Sequence, residues 1–185
     1  MIIGHFLLDV NEANAFILGC EVTREAALID AGACDPRFEP FCAEHGLNLT
    51  KIIITHDHYD HTAGLAEALQ RFDAEAYSFS GNVGGVKTKT LKPGDTVRVG
   101  QLEGRVVHTP GHTPDGISII FPGVVFSGDA LFSGSVGGTA AKADYDRQIE
   151  AIRTELFCLP DDYEVYSGHG PATTIGVEKQ HGPFF

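Results

Sequence analysis

The sequence has no tryptophan, one methionine and few basic side chains. Thirteen Lys and Arg stand against 25 Asp and Glu, for a formal net charge of -12. Such a surface repels phosphate backbones, so nucleic acid is not an expected partner. No apolar run reaches the roughly 18 residues that a membrane-spanning helix needs, so no membrane partner is expected. No basic residue precedes Arg24, and no clear cleavage site follows the apolar start. A secretory leader is therefore not expected, and the cytoplasm is the expected location. The four cysteines, Cys20, Cys34, Cys42 and Cys158, form no CxxC pair. That excludes a zinc knuckle and a disulfide framework, and leaves them as buried free thiols. The nucleophile-elbow pattern GxSxG is also missing.

Glycine, by contrast, is abundant, with 22 residues lying largely between short apolar runs. Those runs read as strands at residues 2–8, 15–18, 26–29, 51–54, 74–77, 96–99, 105–107, 116–121, 124–126 and 163–166. Asp35-Pro36 reads as the start of a helix in which Phe38, Phe41, Cys42 and His45 share a face, with Gly46 as its stop. Leu65, Leu69 and Phe72 mark a second helix. Tyr145, Ile149, Ile152, Leu156 and Leu159 mark a third, with Asp144 as its cap. Residues 174–179 form a last short helix, and Gly81 to Gly85 and Gly134 to Gly138 read as loops. The order suits one domain over residues 1–185, built as two sheets with helices on their outer faces.

Nine histidines are many for this length, and three fall in Thr55-His56-Asp57-His58-Tyr59-Asp60-His61. This segment follows the strand at 51–54 and precedes the second helix. Imidazole and carboxylate suit zinc, iron or manganese. Four such groups, His56, His58, Asp60 and His61, are too close in sequence to wrap one ion, which suggests two adjacent ions. Three further strands run into a glycine turn and a ligand-type side chain: Gly111-His112, Gly128-Asp129 and Gly168-His169. Loops at one edge of a sheet bring such residues to a common point.

With these motifs in order, the chain resembles the metallo-β-lactamase-fold hydrolases. The resemblance rests on His56-x-His58-x-Asp60-His61, Gly111-His112-Thr113-Pro114, Gly128-Asp129 and Gly168-His169-Gly170-Pro171. It implies an α/β fold, an αββα sandwich of two mixed sheets, with a binuclear site at one edge. Carried over by position, His56, His58 and His112 would hold one metal. Asp60, His61 and His169 would hold the other, and Asp129 would bridge both. Two divalent ions, zinc first and iron or manganese otherwise, are the implied cofactors. Asp30 reads equally as a strand-end turn or as a support of the site.

Within that family the chain is most similar to the compact glyoxalase II-like branch, through the segments 128–135 and 168–176. That branch implies a thioesterase in which a metal-bridging hydroxide attacks S-(2-hydroxyacyl)glutathione or a related small thioester. Asp60 would orient the hydroxide, and Asp129 would set the metal separation. Two departures stand out. Gly138-Thr139 replaces the branch's Arg-Thr or Arg-Ser, and the helical region that helps to bind glutathione is not expected in this chain. The alternatives are a mononuclear iron persulfide dioxygenase using only His56, His112 and Asp129, a lactonase or β-lactamase-like hydrolase, and a non-catalytic metal-binding protein.

His5, His45 and His181 read as surface or packing residues, His108 as a strand end, and Lys87, Lys89, Lys92 and Arg98 as a solvated face. Phe184 and Phe185 could seal a core edge or a dimer contact. Two divalent ions would move the formal charge to about -8, so the site itself can be positive and accept an anionic small thioester.

Overall fold

The computed structural model describes residues 1–185. Two six-stranded sheets stack on one another. The first runs, in spatial order, Ile2–Leu7, Asn14–Gly19, Glu25–Ile29, Asn48–Ile53, Glu75–Ser78 and Lys89–Thr90. Its first three strands pair antiparallel, and the later ones pair parallel. The second runs Thr173–Thr174, Glu164–Ser167, Val124–Gly128, Ile117–Phe121, Leu102–His108 and Thr96–Val99. Only Val124–Gly128 and Glu164–Ser167 pair parallel there.

Strand alternation sorts the side chains into layers. Ala26 and Leu28 lie under the helices Phe38–His45 and Leu65–Arg71, whereas Ala27 and Ile29 face the second sheet. Phe16, Ile53, Val106, Ile119 and Phe126 fill the space between the sheets. Val107, Val125 and Val165 face outwards against Ile149, Ile152, Leu156 and Ile175. The layers are therefore helix, sheet, sheet, helix, the αββα arrangement that the sequence implied. Central strands buried on both faces are continuously apolar, which is why their positions were readable.

Several local expectations change. The glycine-rich segments are not plain loops: Asn82–Val83 pairs with Val86–Lys87, and Leu131–Phe132 pairs with Ser135–Val136. The third helix is α-helical over Lys142–Ala151 and widens to a π-helix over Ile152–Leu156. Ala141 precedes it, so Asp144 lies in the first turn and pairs with Arg147 instead of capping. The first helix begins at Phe38, after a turn in which the Asp35 carboxylate accepts the Arg37 N–H at 2.8 Å. The last helix is Ile175–His181, with the Thr174 hydroxyl accepting the Val177 N–H. Cys20 and Cys42 are buried, but Cys34 is half-buried and Cys158 exposed. Phe185 packs edge-on against Phe157 and so closes a core edge. No helix is long and apolar enough to cross a membrane.

Candidate metal centre

Parallel pairing places strand ends together. Asp30 follows Glu25–Ile29, and the His56 segment follows its parallel neighbour Asn48–Ile53. In the second sheet, Leu102–His108, Val124–Gly128 and Glu164–Ser167 run the same way. Their ends carry His112, Asp129 and His169. The two edges are joined by backbone bonds from Ile117 N to Thr55 O and from Asn14 N to Gly168 O. All seven residues singled out in the sequence thus converge.

Two glycines permit the closeness. A Cβ at Gly128, whose φ is +51°, would press on the Thr55 side chain. A Cβ at Gly168 would overlap Asp129 Oδ1 and crowd His61 Cε1.

The donors fall into two sets. His58 Nδ1 lies 3.2 Å from His56 Nε2 and 2.9 Å from His112 Nε2. His169 Nε2 lies 3.4 Å from His61 Nε2 and 3.5 Å from Asp60 Oδ2. Asp129 stands between the sets, with Oδ2 3.3 Å from His112 Nε2 and 3.6 Å from His169 Nε2, and Oδ1 3.5 Å from His61 Nε2. Within each of His56/His58/His112, Asp60/His61/His169 and His56/His61/Asp129, the donor atoms lie within 4.8 Å of one another.

Three of the rings are held from behind. Asp30 accepts the Thr55 N–H at 2.7 Å, the Thr55 hydroxyl at 2.8 Å and His61 Nδ1 at 3.0 Å. The Thr55 hydroxyl proton goes to Asp30, so its lone pair takes the His56 Nδ1 proton at 3.0 Å. His112 Nδ1 donates to Gly138 O at 2.7 Å. Such outer hydrogen bonds orient metal-binding imidazoles, and for His56 and His112 they leave Nε2 as the lone pair. Asp30 therefore supports the site, beyond its place at a strand end.

These protonation states test whether the donors suit a metal. His56 Nε2 and His112 Nε2 both present lone pairs to His58 Nδ1, which carries at most one proton. That trio is one proton short, and a cation completes it. Its nitrogens are spaced close to the about 3.3 Å set by a tetrahedral ion with 2.0–2.1 Å bonds. Asp129 Oδ1 is buried with no hydrogen-bond partner. A carboxylate oxygen orphaned between imidazoles fits a cation too.

Burial, reinforced by the imidazoles of His61, His58 and His112, pushes His56 well below its ordinary pKa. Burial and His112 lower His58 as well. Burial also pulls down on His61, but Asp30, Asp129 and Asp60 outweigh it and lift the ring to about 9. Burial raises Asp129 against the pull of His61, His169 and His112. Burial opposes the ionisation of Asp60, but the Asn11 amide and His61 prevail and hold its pKa low.

A pKa for His61 above its ordinary 6.5 stabilises the metal-stripped fold below pH 6.5. This contribution is lost as pH rises through about 9. The metal-stripped protein should therefore lose Tm between those limits, by at most roughly 3 kcal/mol of stability. Calorimetry across pH checks this, with Asp30→Asn expected to flatten the profile.

Several supporting residues were not readable in the sequence. Asn11 donates its amide to Asp60 Oδ2 at 3.2 Å. Asn14 donates to Ser167 O at 2.9 Å and to Gly170 O at 2.8 Å, fixing the His169 turn. Asp57 donates its N–H to Asp115 and accepts the Gly84 N–H, tying three loops together. Gln148 is buried and donates to Ala130 O and Gly137 O, bracing the loop after Asp129. Of the remaining histidines, His108 stacks on Phe79 and bonds Pro114 O, and His5 stacks on Phe16.

Two layered sheets with a paired His/Asp donor set at one edge define a metallohydrolase class. Residues 8–170 match the model of the metallo-β-lactamase superfamily, and the chain belongs to that family. Among its relatives, the hydroxyacylglutathione hydrolase GloC of Haemophilus influenzae is 30% identical, over 96% of this chain and 97% of that one. The hydroxyacylglutathione hydrolase of Nitrobacter hamburgensis is 38% identical over 80% of this chain, which spans 58% of that relative's length. The crystal structure of ETHE1 from Myxococcus xanthus is 34% identical, with a TM-score of 0.88 over 99% of this chain and 84% of that one.

Proposed function

We propose that the chain is a metal-dependent hydrolase of small thioesters, of the glyoxalase II type. The observation that carries this reading is the double donor set, His56/His58/His112 and Asp60/His61/His169, with Asp129 between. His56, His58 and His112 would hold one divalent ion, Asp60, His61 and His169 a second, and Asp129 both. Zinc is the first expectation, with iron and manganese compatible with the same donors. Ions so placed lower the pKa of a shared water and polarise a carbonyl.

The chain's own residues supply the rest. Asp30 and Thr55 hold the rings of His61 and His56 by their Nδ1 atoms before substrate arrives. Asn11 donates to Asp60 Oδ2 and so fixes that carboxylate beside His169. A thiolate is a good leaving group, so no strong general acid is required, and the Thr55, Thr109, Thr113 and Ser127 hydroxyls beside His56 and His112 offer none. The relatives named hydroxyacylglutathione hydrolase support S-(2-hydroxyacyl)glutathione or a related small thioester as substrate. A cytoplasmic location suits that chemistry.

A mononuclear iron dioxygenase would use His56, His112 and Asp129 alone. It would give no role to the Asp60/His61/His169 set, although a buried Asp30 is committed to orienting His61. The test is to strip the protein with a chelator and restore zinc, iron or manganese while following S-lactoyl thioester cleavage. Hydrolysis should vanish on stripping and return with added metal. Hydrolysis that persists in the chelator would refute the reading.

A further inference from the structure

A polar cavity of about 10 Å³ lies beside the metal-type donors, bordered by Thr109, Thr113, Gly116, Ser127, His56 and His112. His58, Asp60, His61 and His169 do not line it, so it is not the space enclosed by either donor set. Its volume is at the lower end of the about 10–15 Å³ that admits one water. No larger ligand fits.

Three groups around the cavity have no protein partner. Thr113 is 7% exposed, and its Oγ1 is buried without a hydrogen bond. The Thr109 carbonyl accepts no hydrogen bond, and Gly116, a buried residue, donates its N–H to no protein acceptor. The turn between them is otherwise closed, with Thr109 N donating to Gly116 O at 2.9 Å and Gly111 N to Thr113 O at 3.0 Å.

Gly116 keeps the space open. Its φ is not positive, so its backbone does not require glycine. A Cβ there would lie 2.9 Å from Thr109 O and 3.4 Å from Thr113 Oγ1. A side chain would thus project between these two oxygens. The three unpartnered groups are an acceptor, a donor and a hydroxyl that can act as either. A water satisfies such a mixed set, whereas a cation is matched only by acceptors.

We propose that one buried water is a built-in part of this centre, bonded to Thr109 O, Thr113 Oγ1 and Gly116 N–H, and that it braces the turn carrying His112. Three hydrogen bonds are the usual complement of a buried water. His112 stands inside that turn, and its ring is already fixed at Nδ1 by Gly138 O. Turn and ring together set where His112 Nε2 points. The water site itself requires no particular substrate or metal, and the bracing role rests on His112 as a metal donor.

The first test is a high-resolution crystal structure of the metal-loaded protein. Density for one water at hydrogen-bonding distance from all three atoms is expected in the wild type and in Thr113→Ser, and not in Thr113→Val. Thermal unfolding supplies an independent sign. Valine would relieve the cost of a truly orphaned hydroxyl and raise Tm. Valine in place of a hydroxyl bonded to water should instead lower Tm, with and without metal, by about 2–4 °C. Zinc affinity, read by competition with a chelating dye, should fall about tenfold in Thr113→Val and recover in Thr113→Ser. Wild-type density without the water, a metal ion in its place, or a Tm raised by valine would overturn the site. Zinc affinity unchanged in Thr113→Val would overturn the bracing role. None of these measurements uses a substrate, so failure of the thioesterase reading is seen separately, in the cleavage assay.

Discussion

Asp129→Ala should strip the protein of metal and of hydrolytic activity together. Asp129 lies between the two donor sets, with one oxygen within 3.6 Å of both His112 and His169 and the other 3.5 Å from His61. Removing it takes a donor from both proposed ions at once. No other single substitution does this. A binuclear site supplies several kcal/mol of transition-state stabilisation, so activity should fall about a thousandfold or more. The fold should survive. Asp129 is buried, and its Oδ1 satisfies no protein donor, so alanine leaves no such donor orphaned there. The variant's Tm should therefore match that of metal-stripped wild type, while metal analysis shows less than one equivalent per chain. A variant that keeps two equivalents would refute the bridging role.

Asp30→Ala should give the second large effect, and it should damage folding as well as metal binding. Three donors lose their acceptor: the Thr55 N–H, the Thr55 hydroxyl and His61 Nδ1. All are buried. An orphaned buried donor costs about 1–3 kcal/mol, so the total is on the order of 4 kcal/mol or more. Asp30 also has φ of +60°, which alanine tolerates poorly. Asp30→Gly separates the two causes, since it removes the strain and keeps the lost hydrogen bonds. Metal affinity at the His61 set should drop about 10- to 100-fold in either variant. Denaturant unfolding and metal titration measure these separately. A glycine variant with wild-type affinity would show that Asp30 does not orient His61.

The metal-type residues were legible in the sequence because they are chemically rare and locally dense. His56, His58, Asp60 and His61 occupy one segment, and His112, Asp129 and His169 each follow an apolar strand and a glycine. The central strands were legible because burial on both faces leaves continuous apolar runs. Asn82–Val83 and Leu131–Phe132 were not, because two-residue strands are defined by their partners, not by an alternating pattern. The π-helix at Ile152–Leu156 was hidden because its apolar spacing continues that of the α-helix before it. Asn11 and Asn14 escaped notice for another reason. Their partners lie 49 and 153 residues away, so only the folded chain shows what they hold. Asp144 misled because a good capping residue near a helix start is not always the residue at the boundary.

The most direct test of the binuclear thioesterase account is a metal count on the purified protein, paired with an assay on a lactoyl thioester and on glutathione persulfide with oxygen uptake recorded. The account predicts about two divalent ions per chain, thioester cleavage and no oxygen consumption. One iron per chain, oxygen consumed with the persulfide and thioesters left intact would contradict it.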